Sequence, residues 1–172
     1  MKRLGILILL MLVVLSGATY AQEKKSKKER QQEQTERTLK MVEAQDYIFV
    51  PQHASPMSGR SIALTGGFDM RVSEDVIKAY LPYYGRVYTA PMDPAEGAIK
   101  FDSRDFDYRI ENAKKGGWTV HITIKDAKRP ARMILNITTS GSASLSVNDD
   151  TRQSISFNGY IEEQRPAGAQ RQ

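Results

Sequence analysis

Trp118-Thr119-Val120-His121-Ile122-Thr123-Ile124-Lys125 is the stretch that decides the fold class. Trp118, Val120, Ile122 and Ile124 alternate with Thr119, His121, Thr123 and Lys125. That period of two is the mark of a strand with one face buried and one face solvated.

The same signal recurs on both sides. Downstream, Arg129-Pro130 breaks the strand, and Met133, Leu135 and Ile137 form the next inward set, turning at Ser140-Gly141. Ala143, Leu145 and Val147 follow, with a turn at Asn148-Asp149-Asp150, and Ile155, Phe157 and Ile161 close the series. Upstream, strands are expected over 106–113, closed by Lys114-Lys115-Gly116-Gly117, and over 97–101. Further back come 68–72 and 61–64, with Gly66-Gly67 between them as a bulge or tight turn. Tyr47-Ile48-Phe49-Val50 is β-prone, and Pro51 places it at an edge or an end. Short strands punctuated by turns predict an antiparallel meander. About nine strands would curl into a barrel or fold as two packed sheets.

Two helices are expected. Residues 29–44 carry good helix formers, with only Leu39, Met41 and Val42 able to pack; the charged remainder is a solvated face. The second is short. Ser73-Glu74-Asp75 reads as a serine cap with acids in a first turn, Val76 to Leu81 as the helix, and Pro82 as its stop.

The N-terminus carries a targeting signal. Met1-Lys2-Arg3 is basic, Leu4 to Leu15 is apolar, and small residues lead to Thr19-Tyr20-Ala21. These are the parts of a secretory signal peptide cut after Ala21. The apolar run is shorter than the ~20 residues of a membrane span. Cleavage takes Lys2 and Arg3 away, so the formal charge of +5 falls by two. The chain has no cysteine, which excludes disulfides, thiol catalysis, cysteine metal sites and a cysteine lipid anchor. The expected organisation is a signal peptide over 1–21, a charged helical arm over 22–38, one β-rich domain over 39–162 and a disordered polar tail over 163–172. Lysines and glutamates interleave in the arm, so no nucleic-acid partner is expected.

Tyr80-Leu81-Pro82-Tyr83-Tyr84-Gly85-Arg86-Val87-Tyr88, followed by Ala90-Pro91, resembles the hallmark of a family of small secreted Bacteroidetes proteins, domain of unknown function 4251. The signal peptide, the polar helix, the 49–56 segment, Ile99-Lys100-Phe101, the glycine before Trp118 and the 154–159 segment agree with it. The resemblance covers roughly residues 30 to 162. It implies an envelope location and a single β-rich domain, and it brings no activity, substrate or catalytic residue.

No motif assigns a reaction. A Ser-His-Asp set would have to recruit Ser55 beside His53 with Asp69 or Asp75, and no nucleophile elbow is present. His121 falls on the polar face of its strand. Asp102, Asp105 and Asp107, or Asn148, Asp149 and Asp150, are oxygen-rich but lack the spacing of a calcium loop, and Arg104 and Arg109 are expected to pair with the first group. Asn136-Ile137-Thr138 matches a glycosylation sequon but lies in a predicted strand of a bacterial-type chain. No metal or cofactor is expected.

The aromatics remain. Tyr80, Tyr83, Tyr84, Tyr88, Phe101 and Trp118, with Arg86 at the rim, could line a pocket for an apolar ligand or stack on sugar rings. The competing reading is that some of them plug the core while Gly85 turns the chain. The expectation is a periplasmic or extracellular, non-catalytic module that binds a small ligand, a glycan or an envelope protein. The alternatives are an envelope hydrolase using His53 or His121, and an assembly factor docking through its N-terminal helix.

Overall fold

The structure is a computed structural model and describes residues 26–86, 98–126, 131–149 and 152–164. The chain divides into two compact units, Met1–Arg30 and Gln31–Gln172.

Within the first unit the described residues form the opening turn of helix α1 (Lys27–Glu43). Ser26 caps it reciprocally with Glu29. The Glu29 N–H donates to Ser26 Oγ at 3.2 Å, and the Ser26 N–H donates to the Glu29 carboxylate at 2.8 Å. This is a capping box, and it satisfies donors that a helix start otherwise leaves open.

The second unit contains the rest of α1 and every described strand. The helix buries Thr38, Met41 and Val42 and stops on a left-handed residue, Gln45, with φ 50°. The Asp46 N–H reaches the Met41 carbonyl at 3.0 Å and the Gln45 N–H reaches Val42 at 3.3 Å. Those two bonds make a Schellman stop built without glycine.

Ten strands follow: β1 (Tyr47–Pro56), β2 (Ile62–Ala63), β3 (Asp69–Val72), β4 (Ile77–Pro82), β5 (Ala98–Ser103), β6 (Phe106–Asn112), β7 (Trp118–Ile124), β8 (Ala131–Ile137), β9 (Ser142–Asp149) and β10 (Arg152–Glu162). All pairs are antiparallel. The spatial order is β5-β4-β3-β1-β10-β9-β8-β7-β6, with β2 paired to β1 off that path. The two ends of this order, β5 and β6, are joined by Arg104-Asp105, so one sheet curls into a nearly closed barrel. Asp126 fastens that corner. Its carboxylate accepts from Ser103 Oγ and from the Arg104 and Asp105 N–H groups, and these bonds hold it below the usual carboxylate range.

Alternation fills the interior. Trp118, Val120, Ile122 and Ile124 are buried, and so are Met133, Leu135 and Ile137 opposite them. Ala143, Leu145 and Val147 continue the same layer, and Ile155, Phe157 and Ile161 close it. Tyr47, Phe49, Met70, Ile77 and Leu81 complete the core from the other side.

Three local expectations are corrected. Residues 77–82 are strand β4 and not a short helix. Ile77, Ala79 and Leu81 are buried while Lys78 and Tyr80 face out, and β4 pairs with strands on both sides. Ser73-Glu74-Asp75 makes the β3–β4 hairpin turn instead of a helix cap, closed by the Ser73 N–H to the Val76 carbonyl at 2.9 Å. Serine and acids favour both settings, since their side chains satisfy local backbone groups in either. Pro51 does not end its strand: β1 runs on to Pro56 between β3 and β10, and the register shifts between Pro51 and His53. That bulge absorbs the missing N–H. Arg109 pairs with Glu111 at 3.2 Å, and Asp107 pairs with Lys125 at 2.6 Å, so Arg109 is not the partner of the aspartates.

α1 runs unbroken across position 38, and the side chain of Arg37 pairs with Glu163 at 2.8 Å. Gln164 Nε2 donates to the Val72 carbonyl at 2.7 Å. The expected signal peptide, and the tail from 165 onward, lie outside the described residues.

Candidate functional site

The tyrosine stretch separates into an inner and an outer part because β4 alternates. Leu81 and Pro82 turn inward, Tyr80 turns outward, and the chain leaves the sheet at Tyr83.

The inner part is a pin. Tyr83 folds back so that its ring covers Gly85, and its hydroxyl lies 2.8 Å from the carbonyls of both Arg86 and Gln153. One proton is shared between the two acceptors. The Gln153 N–H returns a bond to the Arg86 carbonyl at 3.0 Å. The buried Arg152 guanidinium stacks on the same ring, 4.9 Å from its centroid. Arg152 Nε is 3.2 Å from Asp149 Oδ2, off the N–H axis, so the contact pairs the charges without an aligned hydrogen bond. The loop after β4 is thus tied to the start of β10.

The outer part is a groove of about 550 Å³ over β3, β4 and β5. Volumes of ~300–1,000 Å³ are usual for small-ligand sites. Register builds it from two cross-strand rows. Tyr80 stands between Asp69 and Lys100, and Lys78 stands between Arg71 and Asp102. Tyr80 is 46% exposed, and Phe68 braces its ring at 5.4 Å with a 37° tilt. Arg71 pairs with Asp69 at 3.0 Å, and Lys78 pairs with Asp102 at 2.9 Å. Lys100 has no ion-pair partner among the described residues.

The residues expected to share a pocket are therefore distributed. Of them, Tyr80 and Phe101 line the groove. Tyr83 is half-buried in the pin, Tyr84 and Arg86 are exposed, and Tyr88 lies outside the described residues. Trp118 is only 7% exposed and belongs to the core. Phe68, Arg71, Lys78 and Lys100 were missed by the sequence reading. The signal was the alternation of Ile77, Ala79 and Leu81, which puts Lys78 and Tyr80 on one outer face.

The alternative chemistries find little to work with. Ser55 Oγ bonds Ser61 Oγ at 3.4 Å and Asp69 is held by Arg71, so neither serves the exposed His53. His121 Nε2 lies 3.5 Å from the Glu111 carboxylate, which also takes Arg109. Among the described residues neither histidine is hydrogen-bonded to a hydroxyl, and no three His, Asp or Glu gather as a metal cluster.

A single antiparallel sheet curled into a nearly closed barrel, with one helix segment packed by Thr38, Met41 and Val42 and with a shallow outer groove, defines a small barrel-shaped β protein without a recognisable catalytic centre among its described residues. The chain belongs to the DUF4251 family, a domain of unknown function whose family model matches residues 29–161. The crystal structure of a DUF4251 family protein from Bacteroides eggerthii DSM 20697, at 1.95 Å resolution, shares the fold with a TM-score of 0.58 at 14% sequence identity. The similarity covers 76% of this chain and 87% of that one. Comparison with curated proteins finds no match.

Proposed function

We propose that this protein is an exported, non-catalytic binding module that holds a saccharide against the outer face of β3, β4 and β5. The observation that carries the reading is Tyr80: an exposed ring, braced by Phe68 and set in a groove between the Asp69 carboxylate and the Lys100 ammonium, which has no ion-pair partner among the described residues. An exposed tyrosine ring offers an apolar face to the C–H side of a sugar, and flanking charged groups take its hydroxyls. Export rests on the basic, apolar and small-residue segments of the first 21 residues.

Titration of the protein from residue 22 onward with neutral and acidic oligosaccharides, followed by calorimetry, tests this reading. Binding by at least one saccharide is expected, together with its loss in Tyr80→Ala at unchanged thermal midpoint. Unaltered affinity in Tyr80→Ala, or no saccharide binding up to millimolar concentration, overturns it.

A further inference from the structure

We infer that the ligand of this groove is a carboxylate-bearing saccharide, and that Lys100 is the residue that selects it; the inference rests on the saccharide reading above. Among the described residues, five charged side chains line this face over β3, β4 and β5. Arg71 and Lys78 are matched by Asp69 and Asp102, at 3.0 and 2.9 Å. Among the described residues Lys100 is left as the unmatched charge, so their side chains give the groove one net positive charge at the position directly across from Tyr80.

The pairing register fixes the distances. Neighbouring strands lie ~4.8 Å apart, so an acid group on a ring stacked over Tyr80 falls within reach of the Lys100 ammonium. The row of Arg71, Lys78 and Asp102 is one same-face step away, ~7 Å along the strands. A second sugar unit would therefore meet Lys78 and Arg71 next. Both of their ion pairs are half-exposed, with side-chain exposures of 55% and 32% for Arg71 and Asp69 and of 55% and 56% for Lys78 and Asp102. Exposed pairs of this kind contribute little to stability and exchange partners readily. Asp69, on the other side of Tyr80, accepts hydroxyls and disfavours a second acid group there, which gives the site a direction.

The test compares α-1,4-linked trigalacturonate with its fully methyl-esterified form, which keeps the sugar backbone but replaces each carboxylate charge with a neutral methyl ester, by calorimetry on the protein from residue 22 onward. The acid is expected to bind about tenfold more tightly than the ester, with the advantage shrinking as salt rises. Lys100→Gln should abolish that advantage. Lys115→Gln removes the same charge from the exposed β6–β7 turn and should preserve it. Equal affinity for acid and ester, or an acid preference that survives Lys100→Gln, overturns the role of Lys100 while leaving a saccharide site standing. Failure of both saccharides, and of the wider set named above, removes the saccharide reading and this inference together.

Discussion

The ring of Tyr83 lies over Gly85, two residues further along the chain, at a distance that leaves no room for a side chain at 85. The hydroxyl bond to Gln153 requires this fold-back, because it carries the ring across the loop to the start of β10. Gly85→Ala should displace the ring and release the loop, at a cost of about 1–3 kcal/mol. Tyr83→Phe keeps the ring and removes the bonds, at about 1–2 kcal/mol. Urea denaturation measures both. A Tyr83→Phe protein as stable as the wild type would show that the pin contributes nothing.

Gly159 meets the β1 bulge from the neighbouring strand. A Cβ there would collide with the Val50 carbonyl and the Pro51 backbone, and β10 is paired on both sides, so it has no room to yield. Gly159→Ala is expected to destabilise by about 3 kcal/mol. Gly66→Ala is a useful contrast: φ is +73° but open space surrounds the position. The left-handed backbone alone should cost that variant about 1 kcal/mol. Thermal unfolding of the two proteins side by side gives the comparison.

Tyr47 and Tyr108 join the helix to the barrel. Their hydroxyls are 3.1 Å apart, and Tyr108 donates to the Val42 carbonyl at 3.1 Å. Burial pushes both phenols up, Tyr108 to about 12 and Tyr47 well above its ordinary value. The unfolded chain loses these protons near pH 10 and the folded chain does not, so stability is full below pH 10 and falls as pH rises towards 12. Each tyrosine that titrates only in the unfolded chain contributes a fall of about 1.4 kcal/mol per pH unit. Urea midpoints between pH 8 and 12 should show this decline, and Tyr108→Phe should make it shallower. An unchanged slope would place the alkaline transition elsewhere.

Legibility in the sequence followed how local the determining forces were. Trp118 to Ile124 could be read directly because each residue's face is decided by its own polarity. Residues 77–82 alternate just as well, yet the preceding Ser73-Glu74-Asp75 satisfies backbone donors equally in a hairpin turn or a helix start. Only pairing with β3, across that turn, and with β5, further along the chain, separates the two, and pairing is not written in the polarity of the residues themselves. The groove was hidden for the same reason. Lys100 becomes a neighbour of Tyr80 through register, which no local pattern encodes. Trp118 carries two readings in the sequence, a ring suited to ligand stacking and a member of the alternating apolar face; the structure settles it on that face, in the interior with Val120 and Ile122.

β1 lies between β3 and β10, and Ile48 pairs with Glu162. Nearly the whole domain must therefore exist before its first strand acquires its second neighbour. A chain emerging N-terminus first from a ribosome exposes the open edge of β1 until the last dozen residues of the sheet have appeared. Such an edge invites pairing with other chains. Closure between β1 and β9 is consequently a late event, and a nascent chain cut short before β10 is left with two separate ladders, β1-β3-β4-β5 and β6-β7-β8-β9.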